Sequence, residues 1–351
     1  MRLDLDDYYL EVAPVADSLP RFLQRQTYSG YHVLVDENTE RHCLPLLRAA
    51  APGLDFRTIV IPAGEAHKHL ATCENIWRQL MQQGASRNAL LVNLGGGVIG
   101  DMGGFCAATF KRGMSFLQIP TTLLSQVDAS IGGKLGVDFS GIKNSIGVFR
   151  NPAAVLIDPA FYRTLPADEV RSGFAEIIKH ALIYDASQWA TLRTIGELSA
   201  VDWSDVLVPS LSVKRAIVQQ DPFERGLRKA LNFGHTIGHA VEGYALEHGP
   251  AMLHGEAVAL GIIAESFLSH RAGLLSDTEL SEIVQFVRTT YPNYAFPKSI
   301  YPDLLRRMRQ DKKNRGTEIN FTLVGPIGSC HTDRTADEAA IEAALDFYRA
   351  E

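Results

Sequence analysis

The chain has 351 residues, enough to bury more than one hydrophobic core, and this length predicts two domains. Its 34 Lys and Arg against 40 Asp and Glu leave a formal net charge of -6, which argues against the broad basic surface of a nucleic-acid binder. The basic residues recur in short local groups, a pattern that suits a small anionic substrate better than a polyanion.

The chain opens MRLDLDDYYLEV, acidic where a secretory signal would be basic. YHVLVD (31–36) predicts a strand, followed by a helix carrying Leu44, Leu46 and Leu47. RTIVIP (57–62) predicts a second strand, and TCENIWRQLMQQG (72–84) a helix closed by glycine. ALLVNLGGG (89–97) reads as a buried strand running into a glycine turn, and MSFLQIP (114–120) and AAVLID (153–158) as further strands. This alternation predicts a mostly parallel sheet covered on both faces. Beyond about Leu165 helical periodicity takes over, at 171–183, 206–220, 232–242, 255–270, 277–289, 301–308 and 335–348. EINFTLVG (318–325) is the one strong late strand. The expected fold class is therefore an α/β N-terminal domain followed by a mainly α-helical C-terminal domain, divided near residues 164–172 and written as 1–168 and 169–351. The longest apolar stretch, around 251–267, contains Glu256 and Glu265 and reads as a buried helix, so no membrane span is expected. Cys43, Cys73, Cys106 and Cys330 are far apart without metal-type spacing, which suits free thiols and a cytoplasmic protein.

In LVNLGGGVIGDMGGF, Gly95, Gly97 and Gly100 have the spacing G-x-G-x-x-G directly after a strand, where backbone N–H groups can approach a pyrophosphate. An acidic residue about 20 positions on is missing, which leaves Asp36 at the end of the first clear strand as a source of a ribose contact. Glu65 and Lys68 in PAGEAHK share one side of a short turn after the next strand. The segment 120–144 gathers Lys134 and Lys143, with Lys111 and Arg112 upstream. There Gly132-Gly133-Lys134 offers backbone donors and a charge together, and Asp128 is placed to orient a lysine. In the helical half, RSGFAEIIKHALI puts Glu176, Lys179 and His180 on one helix face, NFGHTIGHAVE sets His235 and His239 at i,i+4, and LHGE adds His254. One Glu with two or three His is a reasonable catalytic zinc set, and it is not the H-E-x-x-H of a zincin peptidase. Singly, each histidine reads as a core or capping residue. Their clustering, with Arg228 and Asn232 just upstream, favours a metal and substrate site, while spacing alone leaves open which histidine binds metal and which moves protons.

GGGVIGDMGGF, PTTLLSQVDASIGGK, GIKNSIG, RSGFAEIIKHALI, LNFGHTIGHAVE and LHGEAVALG, in this order, resemble the successive blocks of the 3-dehydroquinate synthase family of sugar-phosphate cyclases. The resemblance runs from about residue 36 to 313. It implies a Rossmann-like N-terminal domain that binds NAD, through Asp36, Asn38, Glu65, Lys68, Gly96, Gly97, Val98, Gly100, Asp101, Thr121, Thr122, Lys143, Phe161, Thr164, Leu165 and Glu169. It implies one divalent metal ion, zinc or cobalt, on Glu176, His235 and His254. Asp128, Lys134, Asn144, Lys179 and His239 match catalytic positions. Arg112, Lys214, Arg228, Asn232 and Lys313 match further substrate contacts, and Arg112 matches a phosphate contact that can come from the neighbouring subunit of a homodimer. The implied reaction converts 3-deoxy-D-arabino-heptulosonate 7-phosphate to 3-dehydroquinate and phosphate, in the shikimate route to aromatic amino acids. It proceeds by transient NAD-dependent oxidation at C5, phosphate elimination, re-reduction, ring opening and intramolecular aldol closure. The alternative is a sister cyclase acting on sedoheptulose 7-phosphate or glucose 6-phosphate. One departure stands out: Asp138 and Phe139 occupy positions where many members carry Asn and His.

Overall fold

Two compact units divide the chain, Met1–Pro166 and Ala167–Glu351, in a computed structural model that describes residues 1–140, 142–249, 252–310 and 318–350. The first unit contains β1 (Arg2–Asp4), β2 (Tyr9–Val12), α1 (Val15–Leu23), β3 (Tyr31–Asp36), α2 (Glu37–His42), α3 (Leu44–Ala50) and β4 (Phe56–Ile61). It continues with α4 (Leu70–Gln82), β5 (Leu90–Gly95), α5 (Gly97–Thr109), β6 (Ser115–Pro120), β7 (Lys134–Phe139), β8 (Ile142–Phe149) and β9 (Val155–Ile157).

Its sheet has the order β1-β2-β9-β6-β5-β3-β4, parallel throughout except for β1 against β2. All six residues of β5 are buried, because each face of the sheet carries its own core. Val33, Val35, Val92 and Leu94 join the core beneath α1 and α3. Leu34 and Leu91 join the opposite core, with Ile76 of α4 and Met102 of α5. That two-sided burial is why these strands read as continuous apolar runs. From β3 the chain adds β4 on one side and then β5, β6 and β9 on the other, which is the doubly wound order 2-1-3-4-5. The reversal opens a switch point at the carboxyl ends of β3 and β5, where such folds bind ligands.

The second unit contains α6 (Ala167–Tyr184), α7 (Ala186–Leu192), α8 (Trp203–Gln220), α9 (His235–His248), α10 (His254–Arg271), α11 (Asp277–Thr290) and α12 (Tyr301–Arg309). A hairpin of β10 (Ile319–Val324) and β11 (Cys330–Ala336) precedes α13 (Glu338–Arg349). Residues Ser172 to Ile183 of α6 are buried without interruption, and α10 is buried around most of its circumference. No helix among the described residues is long and apolar enough to cross a membrane.

Several local expectations change. The stretch at 134–149 forms an antiparallel hairpin, β7 with β8, although the sequence read only polar groups between apolar anchors. Residues 330–336 pair with β10, so the last helix starts at Glu338 and not at 335. The helix expected from 232 begins at His235, because Gly234 takes a left-handed φ of 78°. At Gly234 the next helix comes very close: a Cβ on Gly261 of α10 would lie 1.8 Å from the Gly234 carbonyl oxygen. Gly261→Ala is therefore expected to push α10 from α9 and to lower stability by about 3 kcal/mol, measured by urea denaturation.

Candidate active site

In the first unit, residues expected to touch a dinucleotide follow the carboxyl ends of consecutive parallel strands. Asp36 ends β3 and caps α2, accepting from the Thr39 N–H at 2.8 Å. Asn38 lies exposed on α2, Glu65 and Lys68 follow β4, and Thr121 and Thr122 follow β6. Phe161, Thr164 and Leu165 lie in and just after the turn that follows β9, whereas Glu169 belongs to α6 in the second unit. The glycine turn joins β5 to α5. Gly96 is the N-cap and makes no side-chain cap bond, and Gly96 and Gly97 line a small hollow together with Gly100, Asp101 and Ser125. An uncapped helix start of glycines fits a pyrophosphate.

Lys68 is the organising charge here. Its buried ammonium donates to Asp101 Oδ2 at 2.8 Å and to Asn144 Oδ1 at 2.7 Å, with Glu65 at 3.9 Å. Burial would lower its pKa, but the Asp101 and Glu65 carboxylates outweigh that and hold it above the ordinary lysine value. Lys143 approaches Glu65 at 3.9 Å. The unusual Asp138 accepts the Asn144 N–H at 2.7 Å and donates its own N–H to the Lys68 carbonyl at 2.8 Å, so it ties the β7–β8 hairpin to this network. Asp128 lies in the turn Ser125–Ala129, and Lys134 begins β7 with its side chain exposed. Arg112 is exposed in a turn where Lys111, Arg112 and Gly113 have φ of 48°, 66° and 113°. Non-glycine residues held in this region carry backbone strain, which is found most often at functional sites.

In the second unit the metal-type residues converge. Glu176 Oε1 lies 3.4 Å from His235 Nε2 and 3.6 Å from His254 Nε2. Tetrahedral zinc with bonds of about 2.0–2.1 Å sets its ligand atoms about 3.3–3.4 Å apart, so these three atoms have nearly the spacing a cation requires. Oε1 of Glu176 is buried and receives no hydrogen bond, as a ligand oxygen would. His235 Nδ1 lies 3.0 Å from the Phe233 carbonyl, which turns its Nε2 toward Glu176. His239 is exposed, and its ring stands 5.0 Å from that of His235 and 5.7 Å from that of His254. A nitrogen of each of the three rings falls within 4.8 Å of the others, a spacing at which three imidazoles could meet one cation. His180 meets Ser210, at 2.8 Å from Nδ1 to Oγ, and one of its ring nitrogens also lies within 4.8 Å of a Glu176 carboxylate oxygen.

Burial would raise the Glu176 carboxyl, yet the Lys179 ammonium paired with it and the neighbouring imidazoles hold it well below the usual range. Burial and the Lys179 charge push His235 down to about 4. Burial alone would lower His254, but Glu176 and Glu242 bring it up to about 10.

Lys179, Lys214 and Arg228 are all buried, and Arg228 Nη1 donates to the Pro222 carbonyl at 2.6 Å. Asn232 reaches Glu224 at 3.3 Å. Lys313 lies outside the described residues.

Three acidic residues were not anticipated from the sequence. Asp221 accepts the N–H groups of Arg225, Gly226 and Arg228 at 2.9, 2.7 and 3.0 Å, which shapes the turn presenting Arg228. Glu265, fully buried on α10, accepts from Gly234 and Ile237 at 2.7 and 2.9 Å and so fixes the start of α9 beside His235. Glu242 lies behind His254. Only Glu242 had a sequence cue, its helical spacing of i+3 from His239 and i+7 from His235.

A doubly wound unit with a bare glycine helix start, and a helical unit with a Glu and two His at coordination spacing, define a two-domain class built for a dinucleotide and a metal. Residues 58–172 match the 3-dehydroquinate synthase N-terminal family model, and residues 173–314 match the 3-dehydroquinate synthase C-terminal model. The chain is 42% identical over 334 residues to the 3-dehydroquinate synthase of Parabacteroides distasonis, covering 94% of each chain. It is 42% identical over 302 residues to that of Pseudoalteromonas atlantica, covering 84% of each. Among solved structures, 2-epi-5-epi-valiolone synthase from Streptomyces hygroscopicus subsp. jinggangensis, with NAD+ and Zn2+ bound, aligns with a TM-score of 0.88 at 29% identity, covering 99% of this chain and 98% of the other. The chain belongs to the 3-dehydroquinate synthase family.

Replacing Lys68 with Met is expected to strand the Asp101 carboxylate and lower stability by about 3 kcal/mol, read from the thermal midpoint of the purified protein. Its NAD affinity should fall in the same variant.

Proposed function

We propose that the chain is a 3-dehydroquinate synthase, converting 3-deoxy-D-arabino-heptulosonate 7-phosphate to 3-dehydroquinate and phosphate with NAD and one divalent cation, zinc or cobalt. The observation that carries the reading is the Glu176 carboxylate 3.4 and 3.6 Å from two imidazole nitrogens, in a chain whose curated relatives bear that name. When bound, the dinucleotide supplies a hydride acceptor and the cation supplies Lewis acidity toward a substrate hydroxyl. Glu176, His235 and His254 hold the cation. The glycine turn 96–101, Asp36, Asn38, Glu65, Lys68, Thr121, Thr122, Lys143, Phe161, Thr164, Leu165 and Glu169 hold the dinucleotide.

The remaining residues bind and orient the substrate. Lys179, Lys214 and Arg228 are fixed cations in a poorly solvated setting, where they neutralise carboxylate and phosphate more strongly than in water. Asn232, Asp128, Lys134 and Asn144 hold sugar hydroxyls and charged groups, and Lys313 adds a late contact. His239, exposed beside the ligand histidines, moves protons at the reacting hydroxyls. The departing phosphate takes the proton of the adjacent carbon itself, so no strong protein base is needed at that step. Arg112 binds this phosphate from the neighbouring subunit of a homodimer, and the protein acts in the cytoplasm.

The test incubates metal-loaded protein and NAD with the heptulosonate phosphate, following phosphate and product by NMR. Equal amounts of phosphate and 3-dehydroquinate without accumulated NADH are expected. Turnover of sedoheptulose 7-phosphate or glucose 6-phosphate in its place would make the chain a sister cyclase. Chelation, or His235→Ala, should lower kcat by about a thousandfold or more, the equivalent of several kcal/mol of lost charge stabilisation. Added Zn2+ or Co2+ should restore the chelated protein and leave the variant inactive.

A further inference from the structure

The imidazole of His254 is engaged at both nitrogens. Its Nε2 faces Glu176, 3.6 Å from Oε1, on the side where the ligand atoms converge. Its Nδ1 lies 3.4 Å from Oε2 of Glu242, a buried residue of α9. The same helix therefore carries His235 at its first position and, two turns later, the carboxylate behind the other ligand histidine. His235 has an equivalent support in the Phe233 carbonyl, 3.0 Å from its Nδ1.

We infer that Glu242 is a positioning residue of the metal centre, accepting the Nδ1 proton of His254 so that Nε2 keeps its lone pair and points at the cation. The inference rests on Glu176, His235 and His254 being the ligands. A neutral imidazole carries one proton, and whichever nitrogen meets an acceptor keeps it. With a carboxylate at Nδ1, Nε2 is the nitrogen left as a ligand, and the carboxylate also makes the ring a stronger donor. The other half of the arrangement is a main-chain carbonyl, so Glu242 is the place where outer support can be removed by a side-chain substitution that replaces no ligand.

Metal-free protein is titrated with Co2+ against a chromophoric chelator while its visible absorption is recorded. Glu242→Ala should bind Co2+ about 10- to 100-fold more weakly, with an altered absorption band and a metal-free melting temperature near that of the wild type. Glu242→Gln, which keeps an acceptor oxygen at the same reach, should recover much of the affinity. Unchanged affinity and spectrum in Glu242→Ala would overturn the inference. Equal losses in both variants with a lowered metal-free melting temperature would also overturn it, because they indicate support of the fold alone. A second measurement needs no variant: imidazole 15N spectra of the Zn2+-loaded wild type should show His254 protonated at Nδ1 and metal-bound at Nε2, and the reverse arrangement would overturn the inference. Failure of the wild type to bind Co2+ at all would instead sink the ligand assignment on which it rests.

Discussion

Burying a carboxylate within a helical run that has no solvent face is the constraint around which the second unit is arranged. Glu176 lies within an uninterrupted buried run of α6, where an isolated carboxylate would take up a proton and lose its charge. Lys179, one turn along the same helix, and the imidazoles of His235 and His254 supply the compensating positive character. Two of those groups come from other helices, so the match exists only when α6, α9 and α10 are packed correctly. Close packing of α9 and α10 in turn demands glycine at 234 and 261, and the buried Glu265 holds the first turn of α9 in place.

The first unit meets a related demand with backbone. At the carboxyl ends of its parallel strands, the start of α5 offers N–H groups that no side chain of the helix caps, and the neighbouring strand ends contribute polar side chains. Glycine permits the approach, and the order 2-1-3-4-5 opens the place where a ligand can reach those donors. Lys68 links the turn after β4, the first turns of α5 and the β7–β8 hairpin through Asp101 and Asn144. Asp138 adds a main-chain bond to Lys68 and a carboxylate that accepts the Asn144 N–H, so the acidic residue at an unusual position has a structural task of its own.

Each unit thus combines a rigid apolar frame with charges that are tolerable only in company. The frame keeps polar side chains where water cannot relax around them, which strengthens their action on a charged substrate. Strain has a part as well. The left-handed backbone at Lys111 and Arg112 costs stability locally, and its effect is to project an exposed guanidinium from a tight turn.

Chain-local features carried much of this in advance. Strands buried on both faces appear as apolar runs, and helices on their covering faces appear as 3.6-residue periods, so β3 to β6, β9 and most of the second unit's helices were legible. The glycine turn, Glu176 and the three histidines were legible as types and spacings. Short pairings were not: β1 and β2 have three and four residues, and β7, β8 and β11 owe their conformation to partners they meet only in the fold. Gly234 delayed the start of a helix that periodicity alone placed at 232, and its left-handed φ falls where α10 packs against it. The sequence by itself determined the composition of the two cores and the supply of side chains suited to a metal, a phosphate and a dinucleotide. Tertiary structure alone decided which nitrogen of each imidazole faces Glu176, and that Glu242 and Glu265 stand behind them. Periodicity describes one helix at a time, whereas hydrogen bonds and ion pairs are short-range contacts between helices that meet only on folding.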